Sequence, residues 1–179
     1  MFDFAPRSGF SGKADLYADL ADAARAITRD EPDAVANMAN LAALIWQFLP
    51  DLNWAGFYRA IGGELVLGPF IGKPACIRIA WGQGVCGAAA RTGQTQIVPD
   101  VHTFPGHIAC DSASRSELVV PVIRNGAAIA VIDLDSPLPA RFDKADAAGV
   151  EMLAAIAATA MNFPAQSCSE SGHGAQNRG

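Results

Sequence analysis

The chain has 179 residues, 51% apolar and only 17% charged, enough for one domain with a substantial core. Its 13 Lys and Arg against 18 Asp and Glu leave a formal charge of −5 with no basic run, which argues against nucleic acid, whose phosphates are held by clustered cations. No apolar run reaches the ~18 residues of a membrane span and no secretory signal opens the chain, so a cytoplasmic location with no membrane partner is expected.

Leu16, Leu20, Ala23 and Ile27 are spaced for one helical stripe and predict a first helix over residues 14–29. Asp30-Glu31-Pro32-Asp33 is a helix start, with acids at the positive end and proline in the first turn. Val35, Met38, Leu41, Ala42, Ile45 and Leu49 carry that second helix to Pro50. An exposed apolar stripe on these two helices would permit a homodimer. Residues 54–60 and 64–70 predict two strands around Gly62-Gly63. Glycines then interrupt residues 72–87, leaving a short run at 77–80. Residues 85–91 predict a short helix capped by Gly93, and 95–98 a strand ended by Pro99. The long loop expected over 101–115 is the kind of segment that carries function. Strands at 117–123 and 127–134 form a hairpin about Asn125-Gly126, and Asp143 caps a last helix over 144–161, with Asp146 at its third position. The expected class is α+β: a single domain over residues 1–162, with an antiparallel sheet of five or six strands and the leading and final helices on one face. A disordered tail rich in Ser and Gly follows over 163–179.

Three of the four cysteines fall in glycine-rich or polar contexts inside that domain: Cys76 after Lys73-Pro74-Ala75, Cys86 in Gly84-Val85-Cys86-Gly87, and Cys110 ahead of Asp111, Ser112, Ser114, Arg115 and Ser116. Cys168 sits in the tail and is incidental. A packed, inert thiol suits Cys86, whose neighbours Val85 and Ala88 fit a helix, and does not suit Cys110. A phosphatase loop fails on spacing, because Arg115 follows Cys110 one residue too soon. A zinc site drawn from Cys76, Cys86, Cys110, His102 and His107 lacks the paired short spacing of structural sites, and no metal is expected. A Cys–His hydrolase using His102 or His107 stays open, as does the plainer reading in which either histidine closes a turn. Asp133 and Asp135 interrupt an apolar strand on one of its faces, and Glu117 opens the strand before it. Aspartate is depleted in strands, so two at alternate positions point to a polar pocket; the alternative is a strand end emerging into solvent before Pro137.

Segments 53–58 (NWAGFY), 68–79 (GPFIGKPACIRI), 82–87 (GQGVCG), 100–121 (DVHTFPGHIACDSASRSELVVP) and 131–137 (VIDLDSP) together resemble the free methionine-(R)-sulfoxide reductases, a family on the GAF fold. The resemblance runs from about Leu16 to Met161, and its specific part is the arrangement of Cys76, Cys86 and Cys110 joined to the stretch after Cys110. Ile71 departs from it, standing where the family has a polar residue. The resemblance implies that Cys110 is the nucleophile, that Cys76 resolves it, and that Cys86 is an alternative or auxiliary partner. Glu117, Asp133 and Asp135 would hold free methionine sulfoxide and assist proton transfer, Trp54 and Tyr58 would wall the pocket, and thioredoxin would be the reductant, with no cofactor.

The chemistry is coherent on its own terms. A sulfoxide sulfur is electrophilic, but its oxygen leaves only when protonated, so a thiolate near carboxyl groups of raised pKa supplies both needs. Arg115 and the loop amides are candidates to favour the thiolate. The resulting sulfenic acid condenses with a second thiol, and a dithiol reductant resets the disulfide. The competing reading is a non-catalytic GAF module, a small-molecule or thiol redox sensor; bilin attachment is disfavoured because Asp111, not His, follows Cys110. Residues 72–84 are expected to form a mobile lid. One geometric requirement remains. A two-residue Asn125-Gly126 turn with a regular ladder sets Glu117 opposite Leu134, facing away from both aspartates. A three-residue loop over 124–126 with a bulge at Gly126 sets Glu117 opposite Asp133 instead. The bulged hairpin, or another irregularity of the same parity, is therefore expected.

Overall fold

Two amphipathic helices lead the computed structural model, which describes Phe4, residues 12–106 and residues 111–161. The tail with Cys168, and the loop positions that include His107 and Cys110, lie outside the described residues. The first helix, α1 (Lys13–Ile27), buries Leu20 and Ala23 as its spacing predicts, packs half-buried Leu16 and Ile27 against the same core, and widens that face with Tyr17, Ala21 and Ala24. The Tyr17 hydroxyl donates to the buried Asp146 carboxylate at 2.9 Å, and its ring lies where a side chain on Gly149 would stand. Asp146 also accepts from Lys13 and Arg141, which ties the start of α1 to the last helix.

Asp33 caps α2 (Ala34–Phe48), its side chain accepting from the Ala36 amide, as the acidic run around Pro32 predicts. The strands are β1 (Trp54–Ile61), β2 (Glu64–Gly72), β3 (Arg78–Ala80), β4 (Gln96–Val98), β5 (Ser116–Arg124) and β6 (Ala127–Ser136). Between them lie α3 (Gly84–Thr92), ended by Gly93 in the left-handed region, and a short 3-10 turn over Val101–Thr103. The final helix, α4 (Lys144–Ala160), opens with a reciprocal capping box between Asp143 and Asp146. The fold is α+β, one antiparallel six-stranded sheet in the order β3-β2-β1-β6-β5-β4. Among the described residues no helix is long and apolar enough to cross a membrane.

Strand alternation divides the core in two. Ala55, Phe57, Leu118, Val120, Ile132 and Leu134 point to α1, α2 and α4, which cover one face together as expected. The apolar stripes of the two leading helices are consumed in this layer, leaving Val35 and Trp46 as the exposed large apolar side chains of α2. Trp54, Tyr58, Val119 and Val131 point to the other face, where α3 and the segment around β3 pack and leave a cavity.

The β5–β6 hairpin corrects the expected loop while meeting its requirement. Asn125 (φ 52°) and Gly126 (φ 79°) form a two-residue turn, with Arg124 paired to Ala127, so no three-residue loop exists. The irregularity lies further in. Ile123 pairs with Ala128 and Val122 with Ala130, leaving Ile129 as an extra residue on β6. That shift puts Glu117 opposite Asp135, not Asp133, and brings all three acids to the face away from the helices.

Candidate active site

Neighbouring strands deliver the carboxylates in two rows. Asp135 stands between Trp54 on β1 and Glu117 on β5, while Asp133 stands between Gly56 and Val119. Gly56 is required there: a side chain on it would meet the Phe70 Cβ at 2.4 Å. Glu117 and Asp133 are buried and Asp135 is half-buried, so the strand does not emerge into water before Pro137. Burial is the first cause that raises all three acids, and for Glu117 and Asp135 the neighbouring carboxylates add to it. Asp133 is lifted to about 6; Glu117 and Asp135 stand well above the ordinary carboxylate range. Glu117 shares a hydrogen bond with Asp133, and Ser114 bonds to Asp135. At neutral pH such a cluster retains protons, because adjacent buried carboxylates cannot all ionise.

Cys86 enters from above, at the third residue of α3. Gly87 lets the helix seat this closely: a side chain there would meet the Ala80 carbonyl oxygen at 2.5 Å. The Cys86 thiol is buried and hydrogen-bonds to Asp133, and burial followed by the charges of Asp133 and Glu117 pushes its pKa well up. It is therefore a protonated thiol in the resting site. Cys76, by contrast, is half-buried in the segment between β2 and β3.

An aromatic wall completes the cavity. Trp54 stacks on Phe70 at 5.2 Å and on Tyr58 at 5.9 Å, and its indole N–H donates to the Lys73 carbonyl at 3.2 Å. Lys73, Pro74, Ala75, Gln83 and Gly84 close the space opposite the carboxylates. The water-accessible space that remains between these walls is about 30 Å³.

Sequence reasoning missed one group. Asp111 and Ser114 line the cavity, and Asn53 Nδ2 donates to both, at 3.2 and 3.0 Å. Asp111 also accepts from the Ala113 amide and from Lys73 Nζ at 3.1 Å, and these bonds hold its carboxyl below the usual range. Asp111, the residue after Cys110, is therefore tied both to Asn53, just before β1, and to the segment bearing Cys76. The polar run after Cys110 was the available signal. His102 is exposed, bonded to Asp100 at 2.9 Å and absent from the cavity lining, as the turn-closing reading expects. Arg115 is exposed and does not line the cavity either. Ile71 pairs with Ala55 outside the lining.

The GAF domain family model matches residues 19–161. The free methionine-R-sulfoxide reductase of Escherichia coli is 47% identical over 143 residues, 80% of this chain and 87% of that protein. The enzyme of the same name from Saccharomyces cerevisiae is 49% identical over 130 residues, 68% of this chain and 72% of that one. Among solved structures, free methionine-R-sulfoxide reductase from Neisseria meningitidis in complex with its substrate superposes with a TM-score of 0.83 at 43% identity, covering 89% of this chain and 96% of that one. A GAF fold, a buried acid cluster with aromatic walls, and this level of identity over most of both chains agree: the chain belongs to the GAF domain family and, within it, to the free methionine-R-sulfoxide reductases.

Proposed function

We propose that this chain reduces free methionine-R-sulfoxide to methionine, with Cys110 as the nucleophile. The observation that carries the reading is the cluster of Glu117, Asp133 and Asp135, whose carboxyl pKa values burial raises, at the foot of a cavity that Asp111, the residue after Cys110, also lines. Cys110 thiolate attacks the sulfoxide sulfur while a carboxyl of the cluster protonates its oxygen; the hydroxyl then passes to the Cys110 sulfur as the new sulfur–sulfur bond breaks, so methionine leaves reduced by two electrons and Cys110 is left oxidised as a sulfenic acid. The ammonium group of a free amino acid pairs with a carboxylate that has given up its proton, whereas a peptide-bound methionine has no such cation to offset the buried charge. Trp54 and Tyr58 receive the side chain. Cys76 condenses with the sulfenic acid, releasing water and forming a disulfide; its partial exposure suits it to this role and to later reduction. Cys86, buried and protonated, serves as an auxiliary donor to Asp133. A thioredoxin-type dithiol resets the enzyme.

The test is steady-state turnover of free methionine-R-sulfoxide with thioredoxin, its reductase and NADPH, against a blocked dipeptide sulfoxide. Many cycles on the free amino acid and none on the peptide are expected. One equivalent of oxidation without turnover would instead identify a thiol sensor.

A further inference from the structure

We propose that the reduced site is also a binding site for Zn²⁺, held by Cys86 Sγ and one carboxylate oxygen each of Glu117 and Asp133, and that this cation blocks the reductase. The donor atoms come from α3, β5 and β6, are all buried, and lie within 4.8 Å of one another. Asp133 Oδ1 is buried with no hydrogen-bond partner, an acceptor left over after the bonds from Cys86 and Glu117. Zinc takes sulfur at about 2.3 Å and carboxylate oxygen at about 2.0–2.2 Å, so donors around it stand about 3.5 Å apart; side-chain rotation of about 1 Å closes the set. Three protein donors leave the fourth position to water, the pattern of an exchangeable site and not of a closed structural one.

Charge favours the exchange. The cluster retains protons because its anions cannot coexist unpaired in a buried space, and a divalent cation replaces those protons at all three donors. Binding therefore releases protons and strengthens as pH rises. The thiolate donor selects zinc over Mg²⁺ or Ca²⁺, which prefer all-oxygen shells. The inhibitory half rests on the function proposed above, since the same carboxylates receive the substrate ammonium there; the binding half does not.

The test uses the full chain, reduced with a phosphine that does not chelate zinc. Co²⁺ is the spectroscopic probe and Zn²⁺ its competitor. In a variant with Cys76→Ser, Cys110→Ser and Cys168→Ser, Cys86 is the remaining thiol. One equivalent of Co²⁺ with a thiolate-to-cobalt charge-transfer band is expected, displaced by Zn²⁺ and not by a hundredfold excess of Mg²⁺. Adding Cys86→Ser should abolish the band, and the near-isosteric Asp133→Asn should weaken binding at least tenfold with the circular dichroism unchanged. In the wild-type enzyme, Zn²⁺ should raise the KM for the sulfoxide at constant kcat. A band missing while Cys86 is present, or persisting in its absence, overturns the site. Inhibition that lowers kcat at constant KM overturns the blocking. Turnover without metal binding, or metal binding without turnover, separates a failure here from a failure of the proposed function.

Discussion

Glu117 faces Asp135 across the β5–β6 ladder, a pairing created by the one extra residue, Ile129, that β6 inserts three positions beyond its turn. Were Ile129 paired in a regular ladder instead, the two-residue turn would send either Glu117 or the aspartates into the helix-covered core. Deleting Ile129 removes the bulge but keeps Ile123 opposite Ala128, Val122 opposite Ala130 and Glu117 opposite Asp135, so the variant should fold and retain its activity. Denaturant melts and turnover of the deletion variant check this; a folded variant without activity would mean that the bulge does more than set the register.

Burial makes Asp133 a stability cost at neutral pH. Its folded-state pKa of about 6 lies above its ordinary value of 3.8, so the contribution of its proton to stability is complete below about pH 4 and is lost as pH rises through 6. Asp133→Asn should therefore stabilise the protein at pH 7.5 by on the order of 1–3 kcal/mol and leave stability nearly unchanged at pH 4. The same change should lower kcat/KM by at least about a hundredfold, the range of general acid catalysis. Urea unfolding at the two pH values decides it. A variant less stable than wild type at pH 7.5 contradicts the burial argument.

The cysteines should separate cleanly. Cys110→Ser should release no methionine even in a single turnover. Cys76→Ser should release one equivalent and then stop. Peptide mapping of the oxidised wild-type enzyme should find Cys76 joined to Cys110 and Cys86 free, because the Cys86 thiol is buried and held protonated. A Cys86–Cys110 bridge as the main product would reverse that assignment.

Within the segment from Gly72 to Gly84, β3 is fixed by its ladder with β2 and Ile77 by the Leu67 amide, whereas Lys73 is tied to the site by the Trp54 hydrogen bond to its carbonyl and by its ion pair with Asp111. Lys73 is exposed, so its ion pair contributes little stability and yields readily. Hydrogen exchange over residues 72–84 should be faster in one redox state than in the other, with the β5–β6 core unchanged. Equal protection in oxidised and reduced protein would mean that the cavity opens elsewhere.

Local signals in the sequence were enough for most elements: the acids before α2, Gly93 after α3, and the Asp143–Asp146 box each fix a boundary through bonds made within a few residues. The alternation of Asp133 and Asp135 likewise places both on one face. Where the sequence misled, the deciding contact was long-range. The α1 stripe is widened by Tyr17, which packs against Gly149 and bonds to Asp146, far along the chain. Asn125-Gly126 announces its tight turn, but nothing near Ile129 announces the bulge, which serves the sheet as a whole. The convergence of Asn53, Lys73, Asp111 and Ser114 was invisible for the same reason: their hydrogen bonds join segments 38 to 61 residues apart.

Reduction of a free amino-acid sulfoxide of one hand at the carboxylate cluster is most directly tested without any recycling partner. Equimolar reduced enzyme is mixed with racemic free methionine sulfoxide, quenched after one turnover and resolved on a chiral column. One equivalent of methionine drawn from the R epimer is expected, with the S epimer untouched and no release from Cys110→Ser. Equal loss of both epimers, or methionine formed by the Cys110→Ser variant, would contradict it.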